Sequence, residues 1–475
     1  MLLHNRRFIY NNESMFLRKL KSYWYSESGP AAVLSLAVPL VLSSSSWTIQ
    51  LFIDRLFISW YSKDSIAAAL PAYLTFWCCA GTLLGIITFS TTLVAQYFSR
   101  KEMKKSGEVV KQSVIFSFIC GFVFLSILLP FSGLFFEWIG HSRNVTENET
   151  IYFRILLFGI IPALTTGSCT SFFSGIKLGY LVLIIDVLET IINTVLGYGL
   201  IFGNWNMPEL GIAGAGIATV SAQVISTTLS LFILMRVNSD KDIFGLRKLQ
   251  TWKLNKEVMF KLIRFGLPNG IMMLIEISAW AWFVLLMGKI SINALAATNI
   301  TFNINNFSFM PMLGFGTAIQ ALVGHKIGEN KFNMAIKTTY TSLLLTSIYM
   351  GTICLLYIFL PDIFIYPYTF SGNKTKECLE TVKILLRFVA VYTMFDMLTI
   401  VFAGALRGAG DTLFVMLITV FLSGSILIVP SYIAYRFFHA GLYSVWIFGT
   451  AYIIALGLSM YMRFKANSWQ KIKVV

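Results

Sequence analysis

Short polar segments cut this chain into twelve long apolar stretches, near residues 31–58, 68–97, 110–137, 151–176, 181–203, 212–236, 259–288, 294–324, 335–362, 379–406, 413–436 and 441–462. About 20 residues at about 1.5 Å each span the hydrocarbon core of a bilayer, and every stretch reaches that length. The pattern predicts an all-α membrane protein with twelve transmembrane helices. The seventh stretch is the most informative. Between Arg264 and Lys289 it holds one charged residue, Glu276, near its centre. An ionised carboxylate at that depth costs about 2.5–3.5 kcal/mol even on lenient insertion scales. A chain that keeps it there needs a proton, a metal ion or a cationic ligand at the same place.

A second regularity is a fixed offset of 229 residues. It pairs Pro39 with Pro268, Ala67-Ala68 with Ala296-Ala297, Leu84-Gly85 with Leu313-Gly314, Thr88 with Thr317 and Leu93-Val94 with Leu322-Val323. A duplication of a six-span unit accounts for a shared, gap-free offset. Six is even, so both copies enter from the same side, as parallel repeats around a central cavity. The expected organisation is a tail over 1–30, an amino-terminal lobe over 31–236, a basic linker over 237–258, a carboxy-terminal lobe over 259–463 and a tail over 464–475.

Composition sharpens this reading. The chain has 475 residues, 56% hydrophobic and 12% charged, against about 25% charged in soluble domains. The net charge of +15 does not point to nucleic acid, because basic residues collect in the cytoplasmic loops of polytopic proteins. With twelve spans, 27 of the 37 lysines and arginines fall on the side of the termini, including Arg6, Arg7, Arg18, Lys19, Lys21, Lys241 and Lys248. Both termini are therefore expected in the cytoplasm, with the chain as a multi-pass protein of the cell membrane, most simply a bacterial inner membrane. The first thirty residues are mixed, basic and aromatic, and no cleavable leader is expected. The six cysteines lie in or beside apolar runs without metal or disulfide spacing and read as packing residues. Neither a phosphate-binding loop nor a dinucleotide fingerprint is present, and the four histidines lack ligand spacing. The expectation is a non-enzymatic protein without a resident cofactor.

Five acids fall inside the spans: Asp54, Asp186, Glu189, Glu276 and Asp396. No lysine or arginine is expected comparably deep: Arg154, Lys177, Arg387 and Arg407 sit at span ends, where long side chains reach the interface. Asp396 is the sole charge between Phe388 and Leu406, with Tyr392 one turn earlier on the same face. Tyr392 is placed to bond that carboxylate or to join a cation's ligands. Trp280 follows Glu276 by one turn and suits either helix packing or the face of an organic cation. Asp186 and Glu189 share a face with Asn193, and Asp54 lies toward the outer end of the first span.

The chain resembles the multidrug and toxic compound extrusion (MATE) family, in its NorM-like branch, over about residues 31–463. The resemblance rests on Pro39 followed by Asp54, on Pro208-Glu209-Leu210-Gly211-Ile212-Ala213-Gly214-Ala215-Gly216-Ile217-Ala218-Thr219, on Gly266-Leu267-Pro268 with Glu276, on Val323-Gly324-His325-Lys326-Ile327-Gly328, and on Gly404 through Thr412. It implies two six-helix lobes around a V-shaped cavity and export of amphipathic, often cationic compounds against inward Na⁺ or H⁺. It further implies that Glu276 and Asp396 bind the coupling cation, as metal ligands if that cation is Na⁺. Tyr392, Asp54 and Asn193 also match. Gly197 departs from the usual Asp or Asn, and Ser59-Trp60 replaces a glycine region. The expected partners are small organic molecules and the lipid bilayer, with the chain working as a monomer. The alternative is a flippase or exporter dedicated to one lipid-linked precursor or metabolite, for which a deep basic patch would be expected.

Overall fold

The computed structural model describes residues 21–237, 242–247, 252–369 and 376–475. Arg6, Arg7, Arg18 and Lys19 of the tail, and Lys241 and Lys248 of the linker, lie outside the described residues. Those described are almost wholly helical, with no strand among them. Twelve spans follow in order: α1 Pro30–Tyr61, α2 Lys63–Ser99, α3 Met103–Ile139, α4 Arg143–Phe158 with Ile160–Gly175, α5 Gly179–Phe202, α6 Ile212–Val237, α7 Lys256–Ile290, α8 Ile292–Gly328, α9 Phe332–Phe359, α10 Lys376–Ala409, α11 Thr412–Phe438 and α12 Leu442–Lys465. A short helix, Pro361–Thr369, joins α9 to α10.

Several spans bend where local chemistry requires it. α4 turns by 45° at Gly159, where a side chain would press on Val220 of α6 and the Leu156 carbonyl. α2 breaks at Phe89, whose amide bonds Ile86 O at 3.3 Å and whose ring stacks on Phe265 of α7. α11 widens to a π-turn over Ser423–Ile428, just before Pro430. Proline has no N–H to continue the ladder, and a wider turn is one way to absorb the gap.

The 229-residue offset has a spatial counterpart. On α2, a Cβ at Gly85 would lie 2.6 Å from Gly270 Cα and 3.1 Å from Asn269 O, both on α7. On α8, a Cβ at Gly314 would lie 2.5 Å from the Leu40 carbonyl and the Val41 nitrogen, on α1. Adding 229 to 85, 40 and 41 gives 314, 269 and 270, so the two backbone-on-backbone crossings are copies of each other. Ala95 and Gly324, themselves 229 apart, face one another: a Cβ on Gly324 would sit 3.2 Å from that of Ala95. Only residues beside a two-fold axis can meet their own counterparts, which fixes the axis between α2 and α8.

The described residues begin and end on one face, here called the terminal face. Val474 packs by Gly410 in the α10–α11 turn, and Glu27 pairs with Lys326 at the end of α8. Among the described residues, every hydrogen bond between the lobes lies in the half of the molecule nearer this face. Thr92 Oγ1 donates to Arg407 O at 3.0 Å and Gln96 Nε2 to Gly408 O at 3.0 Å. Gln320 Nε2 reaches Thr88 O and Thr92 Oγ1 at 3.2 and 3.0 Å. Asn269 Nδ2 donates to Gly85 O and Thr88 Oγ1 at 2.6 and 3.0 Å. Glu27, Lys326, Glu329 and Lys331 add an ion-pair cluster at the rim.

Candidate functional site

Glu276 stands midway along α7 and Asp396 midway along α10, both half-buried. Their carboxyl groups interact electrostatically with each other, and both interact with Tyr452 of α12. Partners on α10 and α12 place Glu276 inside the carboxy-terminal lobe rather than against lipid. Tyr452 is 1% exposed and its hydroxyl has no hydrogen-bond partner. A buried, unpaired hydroxyl costs about 1–3 kcal/mol, so one that interacts with two carboxyls is a candidate ligand position. Tyr392 lies buried one turn from Asp396 and interacts with it, but its hydroxyl makes no hydrogen bond to that carboxylate among the described contacts. Trp280 belongs to an aromatic cluster, with ring centroids 5.5 Å from Phe283, 5.4 Å from Phe302 and 6.3 Å from Tyr452. That cluster forms an apolar wall beside the two acids, so Trp280 combines packing with proximity to the site.

One expectation is overturned. Arg407, at the last turn of α10, does not extend to the terminal face. Its Nη1 donates to Asn269 Oδ1 at 3.4 Å, and its Nη2 lies 3.9 Å from the Cβ position of Gly316. Both are 12 or more residues from the terminal ends of α7 and α8, which at 1.5 Å per residue is about 18 Å inward. The guanidinium interacts electrostatically with Glu276 but forms no ion pair with it, and its Nε has no partner. The interior is therefore not wholly negative. Arg407 interacts with Glu276 and not with Asp396, so the two acids ionised together leave one negative charge unanswered.

The amino-terminal lobe holds two further groups. Asp54 on α1 is buried, and Asn193 of α5 stands beside it with Tyr73 of α2, Tyr152 of α4 and Arg55 nearby. Asn193 Nδ2 donates to Thr219 Oγ1 of α6 at 3.1 Å, while its Oδ1 has no partner. Asp186 accepts a hydrogen bond from Ser43 Oγ of α1, and Glu189 interacts with Asp186 and with Ser226 of α6. Thus Glu276 comes together with Asp396, Asp54 with Asn193, and Asp186 with Glu189, as three separate sets. Gly197 leaves room: a Cβ there would meet Phe57 and Ala218 at 3.8 and 3.9 Å, ordinary contacts. Trp60 is 62% exposed at the outer end of α1.

Among the described residues, no three His, Cys, Asp or Glu side chains cluster as a metal site would require. The carboxy-terminal set instead offers two carboxylates and two phenols, a donor set that suits a proton or a hard monovalent cation.

The profile of the MatE family matches residues 39–199 and 268–433, segments whose starts are again 229 residues apart. A probable multidrug resistance protein NorM of Oceanobacillus iheyensis is 27% identical over 394 residues, 82% of this chain and 86% of that protein. The protein of the same name in Thermotoga maritima is 22% identical over 462 residues, 96% of this chain and 97% of that one. A transporter of the MOP superfamily from Pyrococcus furiosus has the same fold, with a TM-score of 0.84 over 93% of this chain and 96% of that one at 19% identity.

Proposed function

The chain belongs to the MatE family of multi-pass membrane transporters, and from that premise we propose that it is a multidrug exporter driven by cation entry. Na⁺ or H⁺ arriving from outside occupies Glu276 and Asp396, with Tyr392 and Tyr452 as neighbouring donors. Organic compounds, cationic ones above all, leave by the same lobe along the wall that includes Trp280. The observation that supports this reading is the charge count in the carboxy-terminal lobe, where Arg407 interacts with Glu276 and Asp396 has Glu276 but no cation as its charged neighbour. One mobile positive charge completes that set, and antiport follows if cation and compound favour different states of the protein. In this reading both termini are cytoplasmic, the protein works as a monomer, and Asp54 with Asn193 is a secondary proton or cation site.

The names of the relatives, multidrug resistance proteins, support the substrate class. A flippase for a lipid-linked precursor is the second reading, and Arg407 removes one argument against it, since the interior does hold a cation. That single guanidinium is engaged by Asn269 and Glu276, so a phosphate would find no free basic cluster. The test is efflux of a fluorescent organic cation from inverted vesicles, with sodium and pH gradients imposed separately. Glu276→Gln and Asp396→Asn are each expected to reduce gradient-driven transport at least tenfold. Undiminished export by both variants removes the mechanism.

A further inference from the structure

The segment that leads into α1 is held by the other lobe. Tyr23 Oη and Thr341 Oγ1 of α9 share a hydrogen bond at 3.0 Å, and Ser28 Oγ donates to Met334 O of α9 at 3.3 Å. Between them Glu27 pairs with Lys326 at 2.8 Å and with Lys331 at 3.7 Å, where α8 turns into α9. The Lys326 side chain is buried, only 7% exposed. Gly29 closes the segment on itself: its amide donates to Ser26 O at 2.9 Å, and a Cβ there would fall 2.1 Å from Tyr23 O. Residues 23–29 thus form a folded strap from α1 onto α8 and α9.

A second strap is related to it by the 229-residue offset. Gln112 of α3 donates from Nε2 to Lys253 O at 2.8 Å and accepts at Oε1 from the Asn255 amide at 3.0 Å, just before α7 begins at Lys256. Adding 229 to 112 gives 341, and adding it to 24 and 26 gives 253 and 255. The third helix of each lobe therefore grips the segment that enters the first helix of the other lobe, and grips it from the same position. An accidental contact of a tail has no reason to fall on the counterpart of Gln112.

The two straps differ in how they are tied. The linker strap is joined by the chain itself to both lobes. The strap before α1 is held to the carboxy-terminal lobe by side chains alone: two neutral hydrogen bonds and the ion pairs of Glu27. Ser28 is two residues from Pro30, where α1 begins, a reach of about 7 Å at full extension. With the strap seated, α1 cannot draw further than that from α9. We propose that residues 23–29 are a releasable latch, which holds the terminal face shut while seated and leaves α9 and Lys326 when that face opens. The proposal rests on the chain being a transporter whose lobes part at this face, whichever ion drives it.

Distances between spin labels test this in the full chain in lipid vesicles, with the six native cysteines replaced. One pair of labels, at Arg100 and Asn333, sits on exposed positions at the terminal ends of α2 and α9 and reads the face. The other, at exposed Tyr25 and Lys337, reads the strap against α9. Glu27→Lys sets a third lysine against Lys326 and Lys331, and Gly29→Ala drives a methyl group into the Tyr23 carbonyl. Each is expected to raise the ratio of long to short distances about fivefold or more in both pairs. Glu27→Gln removes the charge alone and should give about twofold, which keeps the test readable if a larger change misfolds the chain. Glu380→Lys, at an exposed carboxylate paired with Lys383 on α10, should change neither pair. A strap that leaves while the face stays shut overturns the latch, as does a face that opens with the strap still seated, or three Glu27 and Gly29 variants that match the reference in both pairs. Efflux of a fluorescent organic cation is read from vesicles of the same reference chain. Its absence there counts against the exporter reading and leaves the latch to be judged on the distances.

Discussion

Replacing Gly314 with alanine sets a methyl group against a peptide bond. At the α8–α1 crossing the new carbon would lie 2.5 Å from Leu40 C, Leu40 O and Val41 N, where carbon contacts are comfortable at about 3.5–4.0 Å. A side chain could rotate away, but a helix backbone cannot, so α1 and α8 must part by about 1 Å. Overpacking of this kind costs about 1–3 kcal/mol, and three backbone atoms in the path place it at the upper end. Alanine's better helix propensity returns about 0.8–1 kcal/mol. The expected net loss is about 2 kcal/mol. Gly351 on α9 is the matched control, since nothing lies within 4 Å of its Cβ position. There only the propensity term acts, and Gly351→Ala should gain up to about 1 kcal/mol. Thermal denaturation of both variants in one detergent reads the difference, and vesicle transport reads whether the displaced lobe boundary still cycles. If Gly314→Ala melts at or above Gly351→Ala, the account of this crossing as a backbone contact is wrong.

Other substitutions separate the parts of the site. Trp280→Ala should raise the half-saturating concentration of a cationic substrate about twofold to thirtyfold, the equivalent of about 0.5–2 kcal/mol of cation–π contact, with less effect on a neutral one in the same vesicles. Tyr452→Phe removes an unpaired buried hydroxyl, so the melting temperature should hold or rise while the concentration of coupling cation needed for half-maximal transport increases; a fall in both would mark Tyr452 as merely structural. At the rim, the hydrogen bond and charge of Lys326, with Lys331 behind it, hold the Glu27 carboxyl below its ordinary value of 4.5. A lowered folded-state value means the contribution is complete above the ordinary value and fades as the pH falls through the lowered one. Acidification from pH 5 toward 3 should therefore destabilise the parent protein more than Glu27→Gln, as read by melting temperature.

The spans were legible because an apolar run of sufficient length has few alternatives. Ends were less so, since helices continue past the membrane: α3 begins at Met103, seven residues before the apolar run at 110. Glu276 and Asp396 were found by their isolation among apolar neighbours, and their proximity followed from the resemblance. Arg407 was misplaced because its position near a span end fixes where the backbone is, not which way six bonds of side chain point. Tyr452 left no local signal at all: it is one of twenty tyrosines in the chain, and only α7 and α10 folding against α12 make it a neighbour of two acids. Asn269 was passed over as part of the Gly-Leu-Pro punctuation, although that is where α7 meets the other lobe.

Ala95 meeting Gly324 across a two-fold axis is the contact an isologous dimer makes with itself. A six-span ancestor pairing in one orientation would have formed it without any covalent join. Fusion then required only a tether on the terminal face, where α6 ends and α7 begins. Once fused, the two sides of the contact could drift apart. Their neighbours show this: Gln96 bonds the Gly408 carbonyl, whereas His325, its counterpart 229 residues on, turns its ring edge-on to Phe98. A symmetric pair cannot favour one lobe over the other, and a diverged pair can.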